Sequence, residues 1–299
     1  MMKNSDFKRV SIILVNFNGS DDTIECIKSL EQLIYPNYNI IVVDNASEPE
    51  QIMKLDSISS DGVHIIKSKE NLGFSGGNNL GIKHAFKLGA QYVCLLNNDT
   101  VVDKMFLNYL VDRIELDYNI GIVCPKICEY YNKKRISYGG GEINYTKGGC
   151  FIYGINVYDE KIMNQSRPIT FASGCCMLIR KEVIDKIGYL PEEYFLYYED
   201  TDYSVRTIEF GFRIWYDSNA VIWHKESVST GKGSPNYQYY FTRNRLMFIR
   251  KNFMVKNKLT AYPITFMYII KSIIQKKFGF KHSFLGVKDF VLGNKGKRE

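Results

Sequence analysis

The sequence predicts an α/β fold: a mixed, mainly parallel central sheet with helices on both faces, followed by a helical C-terminal extension. Three observations predict it. Short, almost wholly apolar runs occur at residues 10–15, 40–43 and 92–96, as in parallel strands covered on both faces. Segments of helical spacing separate them. Each run stops at polar residues, namely Asn16-Phe17-Asn18, Asp44-Asn45 and Asn97-Asn98-Asp99. Ligands of open α/β sheets bind outside the carboxyl ends of the strands, so three polar tips in succession point to a binding crevice.

The elements follow in order. After residues 10–15 a helix is expected, with Asp21 or Asp22 as N-cap and Ile24, Ile27, Leu30 and Leu33 on one face. A helix over 49–55 and a short strand over 64–67 come next. The stretch Asn71-Leu72-Gly73-Phe74-Ser75-Gly76-Gly77-Asn78-Asn79 leads into a helix ending near Gly89. The glycines around 139–141 and 148–149 suggest irregular or hairpin structure. An apolar strand is expected over 175–179 and a helix over 181–187. The tract Tyr197-Tyr198-Glu199-Asp200-Thr201-Asp202 should open a helix over 201–210. Residues 212–216 and 220–223 read as two short strands joined by the turn Asp217-Ser218-Asn219. Residues 225–235, rich in Ser and Gly, read as mobile. From Tyr237 the pattern is helical and basic.

Composition limits the function classes. The 299 residues are 45% hydrophobic, enough for a sizeable core, and the net charge is +7. The seven cysteines are scattered, odd in number and without a CxxC pair, which reads as free thiols in a reducing compartment rather than a zinc site. The N-terminus lacks the features of a signal peptide. The longest uncharged stretch near the C-terminus, 259–270, is short of the roughly 20 residues that span a bilayer. A cytoplasmic protein is expected, with the inner face of the cell membrane as a peripheral location.

Three carboxylates in four positions, set among Tyr194, Phe195, Leu196, Tyr197 and Tyr198, are costly to bury unless they hold a cation or move protons. The competing explanation is a solvated first helical turn. Together with the other motifs, this tract carries a resemblance. The chain resembles family 2 glycosyltransferases of the GT-A fold, in the rhamnosyltransferase-like branch. The matching pieces are 10–19 (VSIILVNFNG), 40–47 (IIVVDNAS), 71–81 (NLGFSGGNNLG), 95–100 (LLNNDT), 173–180 (SGCCMLIR), 195–202 (FLYYEDTD), Trp223-His224 and the Tyr239-Tyr240…Arg243-Asn244-Arg245 segment. Where the family commonly has Asp-x-Asp, this chain has Asn97-Asn98-Asp99.

The resemblance implies a GT-A, Rossmann-like domain over 1–235, with a nucleotide-binding half at about 1–100 and an acceptor half at about 101–235. Residues 236–299 form the basic extension. It further implies an inverting, metal-dependent transfer from a dTDP- or UDP-sugar, with rhamnose the first donor and galactose or glucose next. The acceptor would be a hydroxyl of a glycan or lipid-linked saccharide in surface polysaccharide synthesis. Asp200 would be the base, with Glu199 positioning the acceptor or the base. Asp99 and His224 would hold Mn²⁺ or Mg²⁺, histidine tilting the choice toward Mn²⁺. Asp44 would accept from the N3–H of uracil or thymine. Asn16, Asn18, Gly76, Asn78 and Asn98 complete the nucleotide set, with Gly76-Gly77 allowing close backbone approach and Asn78 capping the next helix. Asp202 is either an acceptor-side residue or a plain helix N-terminal acid. Arg243 is a candidate phosphate contact.

The basic, aromatic C-terminal stretch reads equally as a helix on an anionic membrane and as a cover on the domain. It could also pair two copies into a homo-oligomer. No nucleic-acid recognition fold is evident. A catalytically silent glycan- or lipid-binding partner is the alternative function. A nucleotidyltransferase fits poorly, since residues 15–22 carry no Lys or Arg for a triphosphate.

Overall fold

The computed structural model describes residues 7–58, 62–155, 157–158, 161–225 and 234–298. Most of the serine- and glycine-rich segment expected to be mobile lies outside the described residues.

The N-terminal half runs β1 (Val10–Asn16), α1 (Ser20–Leu30), β2 (Tyr38–Asp44), α2 (Pro49–Asp56), β3 (Val63–Lys67), α3 (Gly73–Lys87) and β4 (Tyr92–Asn97). All four strands are parallel, in the order β4-β1-β2-β3. Their register sets Asn16 beside Asp44 and Val15 beside Asn97, so the polar tips line up along one sheet edge. The strand interiors, such as Ile12, Ile13, Val42 and Leu95, are fully buried, each worth about 2 kcal/mol of apolar transfer. Gly19, not Asp21 or Asp22, is the N-cap of α1. The two aspartates sit in the first turn, where they favour the helix dipole instead.

The second half adds β5 (Thr100–Val102), α4 (Phe106–Glu115), β6 (Ile120–Glu129), β7 (Arg135–Tyr138), the antiparallel hairpin β8 (Gly141–Asn144) and β9 (Gly149–Ile152), β10 (Val157–Tyr158), β11 (Arg167–Ile169) and β12 (Cys176–Arg180). There follow α5 (Lys181–Ile187), α6 (Glu199–Glu209) and β13 (Arg213–His224). β12 enters antiparallel between β4 and β6, which makes the sheet mixed. The two short strands expected over 212–223 are one strand, β13. It runs parallel to β6 with a register shift between Asp217 and Val221. The expected turn is therefore an irregularity inside a strand: Asp217 is held by Arg113 at 2.8 Å, so the chain kinks without reversing.

The extension comprises α7 (Pro235–Asn252), α8 (Val255–Ile274) and α9 (Phe280–Leu292). Ser234 caps α7, its Oγ accepting from Tyr237 N at 3.1 Å. α7 packs on the domain: Met247, Phe248 and Ile249 share a buried cluster with Tyr194, Tyr198 and Val205. α8 and α9 are partly open, leaving Leu259, Met267, Ile270, Ile274, Phe280 and Leu292 exposed. No helix among the described residues is long and apolar enough to cross a membrane.

Candidate active site

The ends of β1, β2 and β4 are tied by one polar network. The Asn16 amide donates to Asp44 Oδ1 at 3.0 Å and Ser47 Oγ at 3.1 Å. Its Oδ1 accepts from Thr23 Oγ1 at 2.9 Å. Asn98 donates to Thr23 Oγ1 at 2.8 Å and to the Gly19 carbonyl at 3.3 Å, fastening the turn after β4 to the start of α1. The Asp44 carboxylate also accepts from Ser47 N at 3.2 Å. Asn16 and Asp44 are both fully buried, so this network is a floor with its polar groups satisfied. Asn18 sits at its rim in left-handed backbone (φ 56°), its Oδ1 accepting from Glu48 N. Above it opens a cavity of about 630 Å³, lined by Phe17, Ala46, Asn71, Phe195 and Tyr240 among others.

Beside this floor lies a mixed donor pair. β13 runs antiparallel to β5, with His224 opposite Thr100. His224 Nε2 thereby lies 3.0 Å from Asp99 Oδ1 and 3.4 Å from the Asn97 amide. Burial pushes the imidazole pKa down, but the neighbouring Cys175 thiol and Asp99 carboxylate outweigh this and hold it well above the ordinary histidine value. No group of three or more His, Cys, Asp or Glu gathers at metal distance among the described residues. One carboxylate and one imidazole, the latter giving up its proton on binding, would fit a divalent cation.

The acidic tract forms the third part. Phe195, Tyr197 and Tyr198 all adopt positive φ (64°, 68° and 75°), a conformation that bulky L-residues rarely take and that costs about 1–3 kcal/mol each. What holds them is Asn244, fully buried on α7. Its amide donates to the carbonyls of Tyr194, Leu196 and Tyr197 at 2.7–3.0 Å. Gly73 supports the same loop from α3. It has φ 71°, a Cβ there would fall 2.3 Å from the Phe195 carbonyl oxygen, and the next amide, Phe74 N, donates to that oxygen.

This loop delivers Glu199 and Asp200 to the start of α6. Asp200 accepts from Gly174 N at 3.0 Å and Thr201 N at 2.6 Å. Burial raises its pKa, and these hydrogen bonds oppose the rise. Glu199 is more deeply buried and its Oε2 has no partner. Burial, then the Asp200 charge, raise it well above the carboxylate range. The segment Gly174-Cys175 links the two sites: Gly174 holds Asp200 and Cys175 touches His224.

Residues 11–188, more than half of the chain, match the family described as Glycosyl transferase family 2. The chain belongs to that family. It is 29% identical over 267 residues to the low-salt glycan biosynthesis hexosyltransferase Agl10 of Haloferax volcanii, spanning 88% of this chain and 82% of the relative. It is 24% identical over 255 residues to the dTDP-rhamnosyl transferase RfbF of Shigella flexneri, spanning 80% and 79%. Among solved structures, S. aureus TarS 1–349 in complex with UDP-GlcNAc superposes with a TM-score of 0.63 at 15% identity, covering 96% of this chain and 81% of that one. The mannosyltransferase PcManGT from Pyrobaculum calidifontis, in complex with GDP-Man and Mn²⁺, gives 0.58 at 12% identity, covering 96% and 86%. These likenesses carry the GT-A fold, and the family makes the protein a glycosyltransferase.

Within this glycosyltransferase several expected site residues sit elsewhere than their motifs imply. Arg243 is 1% exposed. Its guanidinium donates to the carbonyls of Tyr194 and Gly296 at 3.0 and 2.9 Å, so it braces the acidic loop and does not line the cavity above the floor. Asp202 is fully buried and accepts from Tyr194 Oη at 2.8 Å and the Asn252 amide at 3.0 Å, a tie between α6 and α7. Asn78 lies inside α3, its amide donating to the Phe74 carbonyl, and caps nothing. Gly76 and Gly77 are buried: a Cβ on Gly76 would meet Leu72 at the start of the same helix at 2.6 Å, and one on Gly77 would meet Val15 of β1 at 2.8 Å, so the close approaches they permit are within the protein.

Four side chains escaped the sequence reading. Thr23 and Ser47 bind the strand-tip asparagines, and Cys175 touches His224. Arg245 is the fourth, lining a cavity of about 540 Å³ behind Asp200. The one usable signal was helical phase: residues two apart point about 200° from each other, so Arg243 and Arg245 cannot share a face.

Proposed function

We propose that this enzyme moves a sugar, with inversion, from a dTDP- or UDP-sugar to a hydroxyl of a glycan or lipid-linked saccharide in surface polysaccharide synthesis. The observation that carries the reading is the Asp200 carboxylate, fixed by Gly174 N next to the residue that touches the Asp99–His224 pair. Asp200 takes the proton of the acceptor hydroxyl as that oxygen attacks the anomeric carbon, and the nucleoside diphosphate departs from the opposite face. Its raised pKa strengthens it as a base while its hydrogen bonds keep it oriented. A divalent cation held by Asp99 and His224 would neutralise the charge gained by the departing diphosphate. Asp44 and Asn16 underlie the base-recognition end; accepting the N3–H of uracil or thymine requires the buried Asp44 carboxylate to open toward the ligand. The hexosyltransferase and dTDP-rhamnosyl transferase relatives support the donor class, with rhamnose first and galactose or glucose next. Exposed Leu259, Met267, Ile270 and Ile274 on α8, near Lys256, Lys258 and Lys271, support a peripheral contact with an anionic membrane.

The test is a donor screen by thermal shift and hydrolysis with dTDP-rhamnose, UDP-galactose, UDP-glucose and GDP-mannose, each with Mn²⁺, Mg²⁺ or EDTA. Metal-dependent stabilisation by a thymidine or uridine donor, lost in Asp99→Ala, is expected. A response to GDP-mannose alone, or no metal-dependent response, would sink the assignment.

A further inference from the structure

The cavity of about 540 Å³ behind Asp200 is assembled from three parts of the chain. The β8–β9 hairpin supplies Asn144, Lys147 and Phe151, the acidic loop supplies Tyr197 to Thr201, and α7 and α8 supply Tyr237, Phe241, Arg245 and Tyr268. Its walls are largely aromatic, surfaces on which a sugar ring or alkyl chain packs. Two buried polar groups in its wall have unspent hydrogen-bonding capacity. Glu199 Oε2 has no partner, and neither has Arg245 Nε, although Arg245 is only 8% exposed.

Arg245 is the unusual group. Its NH2 donates to the Lys147 carbonyl at 2.5 Å, and its guanidinium lies 4.8 Å from the Tyr268 ring centroid. Hairpin and α8 thus fix the plane of the fork while leaving Nε unused. Among the described residues no carboxylate forms an ion pair with it. A buried cation without a counter-ion is costly, and a fixed guanidinium edge matches the paired oxygens of phosphate or carboxylate.

We propose that this cavity selects an acceptor saccharide bearing an anionic group, held by Arg245 while the reacting hydroxyl lies at Asp200. The inference rests on the transferase reading above and names the acceptor class for that site. The anion is a phosphate, as in a lipid-linked saccharide, or the carboxylate of a uronic acid. Lys147, at the exposed rim of the cavity, adds attraction for either.

The experiment uses the full chain saturated with UDP and Mn²⁺, so that the donor side is filled. Methyl glucoside, methyl glucuronide and glucose 1-phosphate are titrated by calorimetry. At least one anionic probe is expected to bind about tenfold tighter than methyl glucoside, and the probe that does so identifies the source. Arg245→Gln should abolish the preference, and Arg245→Lys should keep part of it. A purely structural role for Arg245 would weaken all three probes alike. Equal affinities in the wild type, or a preference surviving Arg245→Gln, would overturn the proposal. UDP binding is read separately in every variant. If neither UDP nor dTDP binds the wild type, the donor assignment is overturned, and the same probe comparison without nucleotide then decides the role of Arg245.

Discussion

The two sides of the site are built on opposite principles. On the strand-tip side, Asn16, Asp44, Asn98, Thr23 and Ser47 satisfy one another, and no side chain of that network is left with an unpartnered buried atom. On the acidic side, three bulky residues have positive φ and two buried ionisable groups have unpartnered atoms. A satisfied network is rigid and needs no ligand to complete it. Strain and unspent polar groups persist where the surrounding fold over-determines them, and they mark where a reacting group is placed. The difference teaches that the strand-tip floor is a preformed platform, whereas the loop that carries Asp200, the proposed base, is held in place against its own local preferences.

The largest effect that would test this contrast is at Asp200, the proposed base. Asp200→Asn should lower kcat by roughly 10²–10⁴ while nucleotide-sugar binding, read by thermal shift, persists. Donor binding lost together with turnover would merge the two sides into one. Next is the brace: Asn244→Ala removes three carbonyl contacts from the strained loop and should destabilise the fold by about 2–4 kcal/mol in urea melts. A change under about 0.5 kcal/mol would show that the loop does not need α7.

Glu199→Gln sharpens the comparison by pH. Because burial raises the Glu199 pKa in the fold, its contribution to stability is full below about pH 4 and is lost as pH rises through the raised value. The variant should melt higher than wild type at pH 8 and lose this advantage near pH 4. A pH-independent difference would argue against a buried, raised carboxyl. The smallest effect belongs to the platform. Ser47→Ala removes one acceptor of the Asn16 amide and should cost about 1 kcal/mol, with kcat nearly unchanged. A loss in kcat comparable to that of Asp200→Asn would show that the floor takes part in chemistry.

Much of this was legible in the chain because the first half is local. Apolar runs of strand length, each ended by Asn or Asp and followed by helical spacing, identify parallel strands and their polar tips. The parallel register then follows from the crossover helices. The acidic tract was legible as a charge cluster among aromatics, though not its positive-φ backbone. β13 was misread because turn-forming Asp217-Ser218-Asn219 looks like a chain reversal until Arg113 and β6 are known to hold it straight. Arg243 was misread because composition shows two arginines near one another and gives no sign of which faces the hairpin.

By itself, then, the sequence determined the periodicities, the residue types at the strand ends and the family, since these depend on neighbours within a few positions. Only tertiary structure decided which of those residues meet. His224 reaches Asp99 through the pairing of β13 with β5, Gly174 reaches Asp200 across the start of α6, and Arg245 rather than Arg243 reaches the cavity. The physical reason is that strand partnership and helix phase against a neighbour are set by packing between distant segments, and nothing in the local pattern encodes that choice.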